Sequence, residues 1–373
     1  MPRLSNIYRL GFKELRSLWF DKVLLILIVW AFTGGVYSVA TGASQELHNA
    51  PIAVVDEDRS PLSNRIINAF YGPYFAPPAI VDLAAADSGM DNGDYTFVLD
   101  IPPGFERDVL AWRQPTIQVN IDATQMSQAF IGASYIESIA SAEINSFVQR
   151  RQSTTVLPIE LTTRVKFNPN LTSTWFGAVM EIINNITLLS IILTGAALIR
   201  EREHGTLEHL LVMPLTPAEI MLAKIWANGL VVLVAAAAGL WLVVQQLLQV
   251  PIAGSVSLFL LGAALHLFST TSIGIFLGTF ARSMPQLGLL MILVIVPLQM
   301  LSGGTTPFDS MPASIQTIML AAPTTHFVNF AQAILYRGAG FDVVWPRFLI
   351  IILIGVVFFM LTLSLFRKRL ALD

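Results

Sequence analysis

Hydrophobic positions in this chain gather into long runs free of Asp, Glu, Lys and Arg: residues 23–40, 182–199, 225–248, 258–280 and 348–366. An α-helix needs about 20 apolar residues to cross the hydrocarbon of a bilayer. Each run therefore predicts a membrane span. A sixth run, 287–301, is shorter and contains Pro297. Between the first and second runs lies a polar block, 48–173, that reads as a folded domain in water. The expected fold class is an α-helical polytopic membrane protein with six transmembrane helices and a mixed α/β domain inserted between the first and second. The expected spans are 23–40, 175–199, 219–248, 255–281, 286–302 and 345–366. Around them lie an N-terminal amphipathic helix at 1–22, the insert at 41–174, a polar loop at 200–218, a loop at 303–344 and a tail at 367–373.

Inside the insert the pattern alternates between strand and helix. Residues 51–55 carry the apolar run Ile-Ala-Val-Val, rich in β-branched residues, before Asp56, which predicts a buried strand. Ser60-Pro61 supplies an N-cap with proline at the first helical position, so a helix is expected over 61–70. Strands are expected over 95–101 and 117–121, with a short helix at 104–112. Residues 127–150 carry a helical stripe that includes Ile136, Ile139, Ile144 and Phe147.

The loop 303–344 is broken by Pro307, Pro312 and Pro323. Two apolar stretches between and beyond these prolines, 315–322 and 327–335, are each too short to cross. A re-entrant hairpin is expected here, a form tolerated where protein or a cavity satisfies the backbone. An external loop with two surface helices is the plainer alternative.

Charge then orients the spans. The N-terminal 22 residues carry Arg3, Arg9, Lys13, Arg16 and Lys22. Arg200, Arg202 and Lys224 flank the second connection, Arg282 the fourth, and Arg367, Lys368 and Arg369 the tail. Alternate loops are poorer in Lys and Arg, so both termini are expected in the cytoplasm and the insert outside. A cleaved secretory leader is not expected, because the basic lead-in and the apolar run after it are both too long. Composition agrees with a membrane protein: 54% hydrophobic residues, 13% charged and mean hydropathy +0.65, against about 25% charged in soluble chains. The net charge of −3 gives no footing for nucleic acid, and the absence of cysteine excludes disulfides and thiolate metal sites.

Several motifs point to function. Residues 4–20 form an amphipathic helix with Leu4, Ile7, Tyr8, Phe12, Leu15, Leu18 and Trp19 on one side and Arg9, Lys13 and Arg16 on the other. Such a helix lies at headgroup level. The loop after the second span reads Arg200-Glu201-Arg202-Glu203-His204-Gly205-Thr206-Leu207-Glu208-His209-Leu210-Leu211. A short helix is expected over 207–212, with apolar residues that need a partner. His204 and His209 are five apart and fall on different faces, so a metal site is not expected. No phosphate-binding loop, His-Glu-x-x-His or Gly-x-Ser-x-Gly motif is present, and no catalytic residue is assigned. Glu181, Asn184 and Asn185 are candidates to line a translocation path, or to tie helices together. His266 reads as an interhelical hydrogen-bonding residue.

Taken together, Lys13-Glu14-Leu15-Arg16, residues 53–58 with Ser60, Ile101-Pro102-Pro103-Gly104-Phe105, the 200–210 loop and Ser302-Gly303-Gly304 resemble the permease subunits of ABC-2-type (type V) ATP-binding cassette exporters along the whole chain. The resemblance implies an inner-membrane location with a periplasmic insert. It implies that residues 200–211 contact a cytoplasmic ABC ATPase, with Lys13, Glu14 and Arg16 in a connecting helix. It also implies that ATP and Mg are bound by that partner and not by this chain. A second permease half, identical or paralogous, is expected. Related systems add a periplasmic adaptor and an outer-membrane channel. The rival readings are a membrane-anchored receptor or scaffold without translocation, and an integral enzyme acting on lipid.

Overall fold

The computed structural model describes residues 3–42, 47, 49–122, 126–151, 173–203, 205 and 215–370. It divides into two compact units: Met1–Ala43 with Thr174–Asp373, and Ser44–Ser173.

The second unit is built on a sheet of four strands, β1 (Ile52–Asp56), β2 (Ala79–Ile80), β3 (Phe97–Ile101) and β4 (Gln118–Ile121), in the order β2-β1-β3-β4. β1 runs parallel to both β2 and β3, and β4 closes the edge antiparallel to β3. Parallel neighbours need crossovers. These contain α4 (Pro61–Ala69) and α5 (Leu83–Asp91), which follow α1 (Leu4–Phe20), α2 (Lys22–Trp30) and α3 (Val36–Gly42) of the first unit in the chain. α6 (Phe105–Leu110) precedes β4, and α7 (Met126–Arg151) follows it. Ser60 starts α4 through a capping box. Its side chain accepts from the Ser63 amide at 3.1 Å, and the Ser63 hydroxyl accepts from the Ser60 amide at 2.9 Å. Ile52 and Val54 face a large core with Phe97, Leu99, Phe105 and Ile136, while Ala53, Val55 and Val98 face Ala86 of α5. Burial on both faces explains why 52–55 reads as an unbroken apolar run.

The first unit opens with α1 (Leu4–Phe20). It breaks at Asp21, whose carboxylate accepts the Leu24 amide at 3.1 Å and so starts α2 (Lys22–Trp30). A π-helical turn, Ala31–Gly35, joins α2 to α3 (Val36–Gly42). Then follow α8 (Ser173–Glu203), α9 (Pro217–Gly239) with a π-helical extension Leu240–Leu247, α10 (Val256–Phe280), α11 (Met284–Met300), α12 (Ala313–Met319), α13 (Pro323–Leu335) and α14 (Phe341–Leu370).

Among the described residues, five helices are long and apolar enough to cross a membrane: Lys22–Gly42, Thr174–Glu203, Pro217–Leu247, Val256–Phe280 and Phe341–Leu365. α11, the expected sixth span, has 17 residues. At about 1.5 Å per residue it reaches roughly 25 Å, short of the roughly 30 Å of hydrocarbon. α12 and α13 meet at 87°.

The helices are held by apolar packing and by polar rungs. The Ser190 hydroxyl donates to Thr270 at 2.6 Å, Thr187 meets His266 Nε2 at 2.9 Å, and Ser269 donates to the Ile351 carbonyl at 2.7 Å. His266 thus has the structural role expected of it, and it also stacks on Phe327 with ring centroids 4.0 Å apart. At Gly274 a side chain would put its Cβ 2.6 Å from the Ile191 carbonyl, so α8 and α10 touch backbone to backbone there.

The candidate coupling site

The polar end of this unit is assembled by α1, the last turn of α8 and the first three turns of α9. On α1 the residues turned inward are Gly11, Glu14 and Leu18, while Leu4, Tyr8, Phe12, Trp19 and Phe20 stay exposed. The expected apolar side is therefore split. Leu18 joins a packing seam that has a carboxylate at its centre, and the remaining large residues form a free apolar face. Gly11 is required beneath Trp226, because a Cβ there would lie 2.1 Å from the indole. The same indole donates to the Ile7 carbonyl at 3.1 Å and stacks on Tyr8.

The seam closes on a buried lysine. Lys224 is 1% exposed, and its Nζ lies 3.1 Å from Glu14 Oε1 and 2.8 Å from Glu201 Oε2. Lys13 Nζ reaches Glu201 Oε1 at 2.9 Å. Two cations and two carboxylates therefore alternate, with no net charge. A lone buried ammonium costs several kcal/mol, and only close, hydrogen-bonded partners offset it. Burial pushes the Glu14 carboxyl above the usual carboxylate range; Lys224 opposes this and the neighbouring Glu201 adds to it.

The rest of the 200–203 motif reaches outward to other helices. Arg200 pairs with Asp21 at the α1–α2 break. Arg202 donates to the Ala281 carbonyl at the end of α10. Glu203 accepts the Met284 amide at 3.0 Å, at the start of α11. Four consecutive side chains thus fasten the end of α8 to different elements. On the other side of the loop, Glu219 forms a capping box with Thr216 and accepts the Arg3 amide at 2.7 Å and Asn6 Nδ2 at 3.1 Å.

Of the expected site residues, Lys13, Glu14, Arg200, Glu201, Arg202 and Glu203 come together at this end. Arg16 stands apart, over the Phe20 ring. Gly205 is described and adopts positive φ. His204, Thr206, Leu207, Glu208, His209, Leu210 and Leu211, with the expected 207–212 helix, lie outside the described residues. Elsewhere on α8, Asn185 donates to the Ala31 carbonyl at 2.8 Å, at the start of the π-helical turn, and to Glu181 at 3.1 Å; Asn184 is half-buried. Sequence reasoning missed Lys224, Glu219, Trp226 and Asp21 as parts of the site. The available signal was Lys224 itself, a cation at the lip of an apolar run that needs carboxylates once the helix packs.

The family model for the ABC-2 family transporter protein matches residues 21–364. The chain belongs to the ABC-2 transporter family. It is similar to the inner membrane transport permease YhhJ of Escherichia coli (strain K12), with 62% identity over 99% of this chain and 98% of that one. It is also similar, at 26% identity, to the probable multidrug ABC transporter permeases YbhR, over 89% of this chain and 90% of the relative, and YbhS, over 95% and 93%, both of Escherichia coli (strain K12). This ABC-2 chain is a membrane permease of the ATP-binding cassette class and a multi-pass inner-membrane protein. The family implies association with an ABC ATPase.

Proposed function

We propose that this chain is the permease half of an exporter driven by a separate cytoplasmic ATPase that binds the ATP and Mg. In this reading both termini and the loop 200–218 face the cytoplasm, six spans cross the membrane with α11 as the fifth, and the insert lies in the periplasm. The dip at α12–α13 is re-entrant. A second permease half, a copy or a paralogue, completes the pathway, and a periplasmic adaptor with an outer-membrane channel extends it.

The observation that carries this reading is the Lys13–Glu201–Lys224–Glu14 cluster. It binds both ends of the loop to the surface helix α1, so a push on residues 204–214 from outside the membrane is transmitted to α1, α8 and α9 together. Glu181, Asn184 and Asn185 line the path between the first and second spans. The test is affinity purification in mild detergent with peptide identification by mass spectrometry, paired with cysteine labelling at residues 57 and 208. Recovery of an ABC ATPase, with residue 208 shielded from and the exposed residue 57 open to an impermeant reagent in whole spheroplasts, is the expected result. The reverse labelling pattern defeats the topology.

A further inference from the structure

The α/β unit contains a cavity of about 420 Å³ between α7, the β3–β4 edge and the segment leading into β4. Its floor is core: Leu99, Phe105 and Ile136 line it and are at most 2% exposed. Ile117 forms a half-buried wall. Glu137 and Ser141 stand at the lip, both exposed and four residues apart on α7, so they lie on one face a turn apart. Glu137 is the one charged residue in the lining, and among the described residues it has no ion-pair partner.

The volume falls within the roughly 300–1,000 Å³ of small-molecule sites, which pair apolar walls with a few placed polar groups. The apolar surface left accessible in the cavity is that of the half-buried Pro115, Ile117, Val119 and Ile144; leaving it wet costs about 25 cal/mol per Å², so an apolar occupant is favoured. A carboxylate at the mouth, without a cationic partner among the described residues, disfavours anions and selects a positive head. A divalent metal is excluded by its demand for several oxygen ligands, since the lining offers one carboxylate. We infer that this cavity binds lipophilic monocations, with the apolar body against the half-buried Ile117, Val119 and Ile144 and the cationic head on Glu137. The inference concerns the insert alone and stands whether or not the chain exports.

The test uses the full chain in nanodiscs and a diazirine-bearing alkyltrimethylammonium probe, beside its neutral carbon-for-nitrogen isostere. Adducts are mapped by peptide mass spectrometry. Saturable labelling is expected on peptides covering 99–119 and 133–144, about threefold stronger for the cation, in line with a partly solvated ion pair. Glu137→Gln, at an exposed position, abolishes that preference while leaving the melting curve unchanged. Ala140→Trp fills the cavity and removes the labelling. Labelling confined to the apolar helices, or equal labelling of the insert by cation and isostere, overturns the inference.

Discussion

Lys224 and Glu14 are separated by 210 positions in the chain and by 3.1 Å in space. That pairing decides how the N-terminal helix is held. α1 presents an exposed apolar face bearing Leu4, Phe12 and Trp19, which would let it drift along a headgroup layer. The buried ion pair, the Trp226 indole and the Glu219 carboxylate fix it against α9 instead.

Removing the lysine alone should be costly. Lys224→Met leaves Glu14 and Glu201 buried with only the half-exposed Lys13 nearby, and breaking a buried pair typically costs about 3–5 kcal/mol. Replacing the buried charge set, as Glu14→Met, Glu201→Met and Lys224→Met together, should restore most of that loss, because well-packed apolar replacements of buried ion pairs are often near neutral. Thermal unfolding in detergent measures both. A single mutant that melts with wild type shows the cluster to be energetically idle.

Gly11 offers a steric test of the same seam. Gly11→Ala places a methyl on the Trp226 ring, and overpacking of this kind costs about 1–3 kcal/mol. Trp226→Ala loses the indole's hydrogen bond and stacking but makes room for the methyl. The double mutant should therefore be less destabilised than the two single losses added together, a coupling read from a double-mutant cycle. Strict additivity would place the contact elsewhere.

How much of this could be read from the chain follows from what each feature depends on. The long spans, the insert and its three longer strands rest on local composition, and charge-free runs such as 348–366 leave little alternative. The helix 127–150 was legible from its stripe and runs Met126–Arg151. β2 and α5 were not legible: Ala79–Ile80 is too short for a period, and α5 buries only Ala86 and Gly89. The π-helical turns leave no hydrophobic signature either. At the site, Arg200-Glu201-Arg202-Glu203 was visible as a motif, but its partners Asp21, Lys224, Ala281 and Met284 are long-range. A helix of period 3.6 says which side faces inward, not which distant side chain awaits it.

Asp58 gives the insert a defined acid response. It accepts the Glu106 amide at 3.0 Å. Burial works to raise its carboxyl, but the Ser60 side chain and the backbone amides of Glu106, Gly104 and Phe105 outweigh this and hold it below the usual range. A depressed folded value means that the stabilisation is complete above the unfolded carboxylate pKa of about 3.9 and is lost as pH falls through the lower folded value. Asp58→Asn should lower the melting temperature at neutral pH and flatten the decline below about pH 4. An unchanged acid limb would show that other groups dominate.

Asn185 bridges two apolar segments through its amide. Hydrogen bonds between membrane helices average about 0.6 kcal/mol and rarely exceed about 1.7. Asn185→Ala should therefore cost about 1 kcal/mol in unfolding, whereas Glu181→Gln, which can still accept from Asn185, should cost less. If Glu181 lines the path, Glu181→Gln changes transport in inverted vesicles without a matching loss of stability. A loss of transport no larger than the loss of folded protein would assign Glu181 to packing alone.

Anchoring and contact with a partner separate at residue 201. Glu201 is 9% exposed and committed to Lys13 and Lys224, so little of its carboxylate is left for another subunit. Glu208 and Leu207 lie farther along the loop, past the anchor. Glu201→Gln should lower the permease's melting temperature, with the ATPase recovered per folded permease unchanged. Glu208→Lys and Leu207→Asp should do the opposite, keeping the melting curve while reducing ATPase recovery at least severalfold. Quantitative co-purification beside thermal unfolding distinguishes the two classes. If Glu201→Gln releases the ATPase from a fully folded permease, the carboxylate itself belongs to the docking surface, and the buried cluster must open when the partner binds.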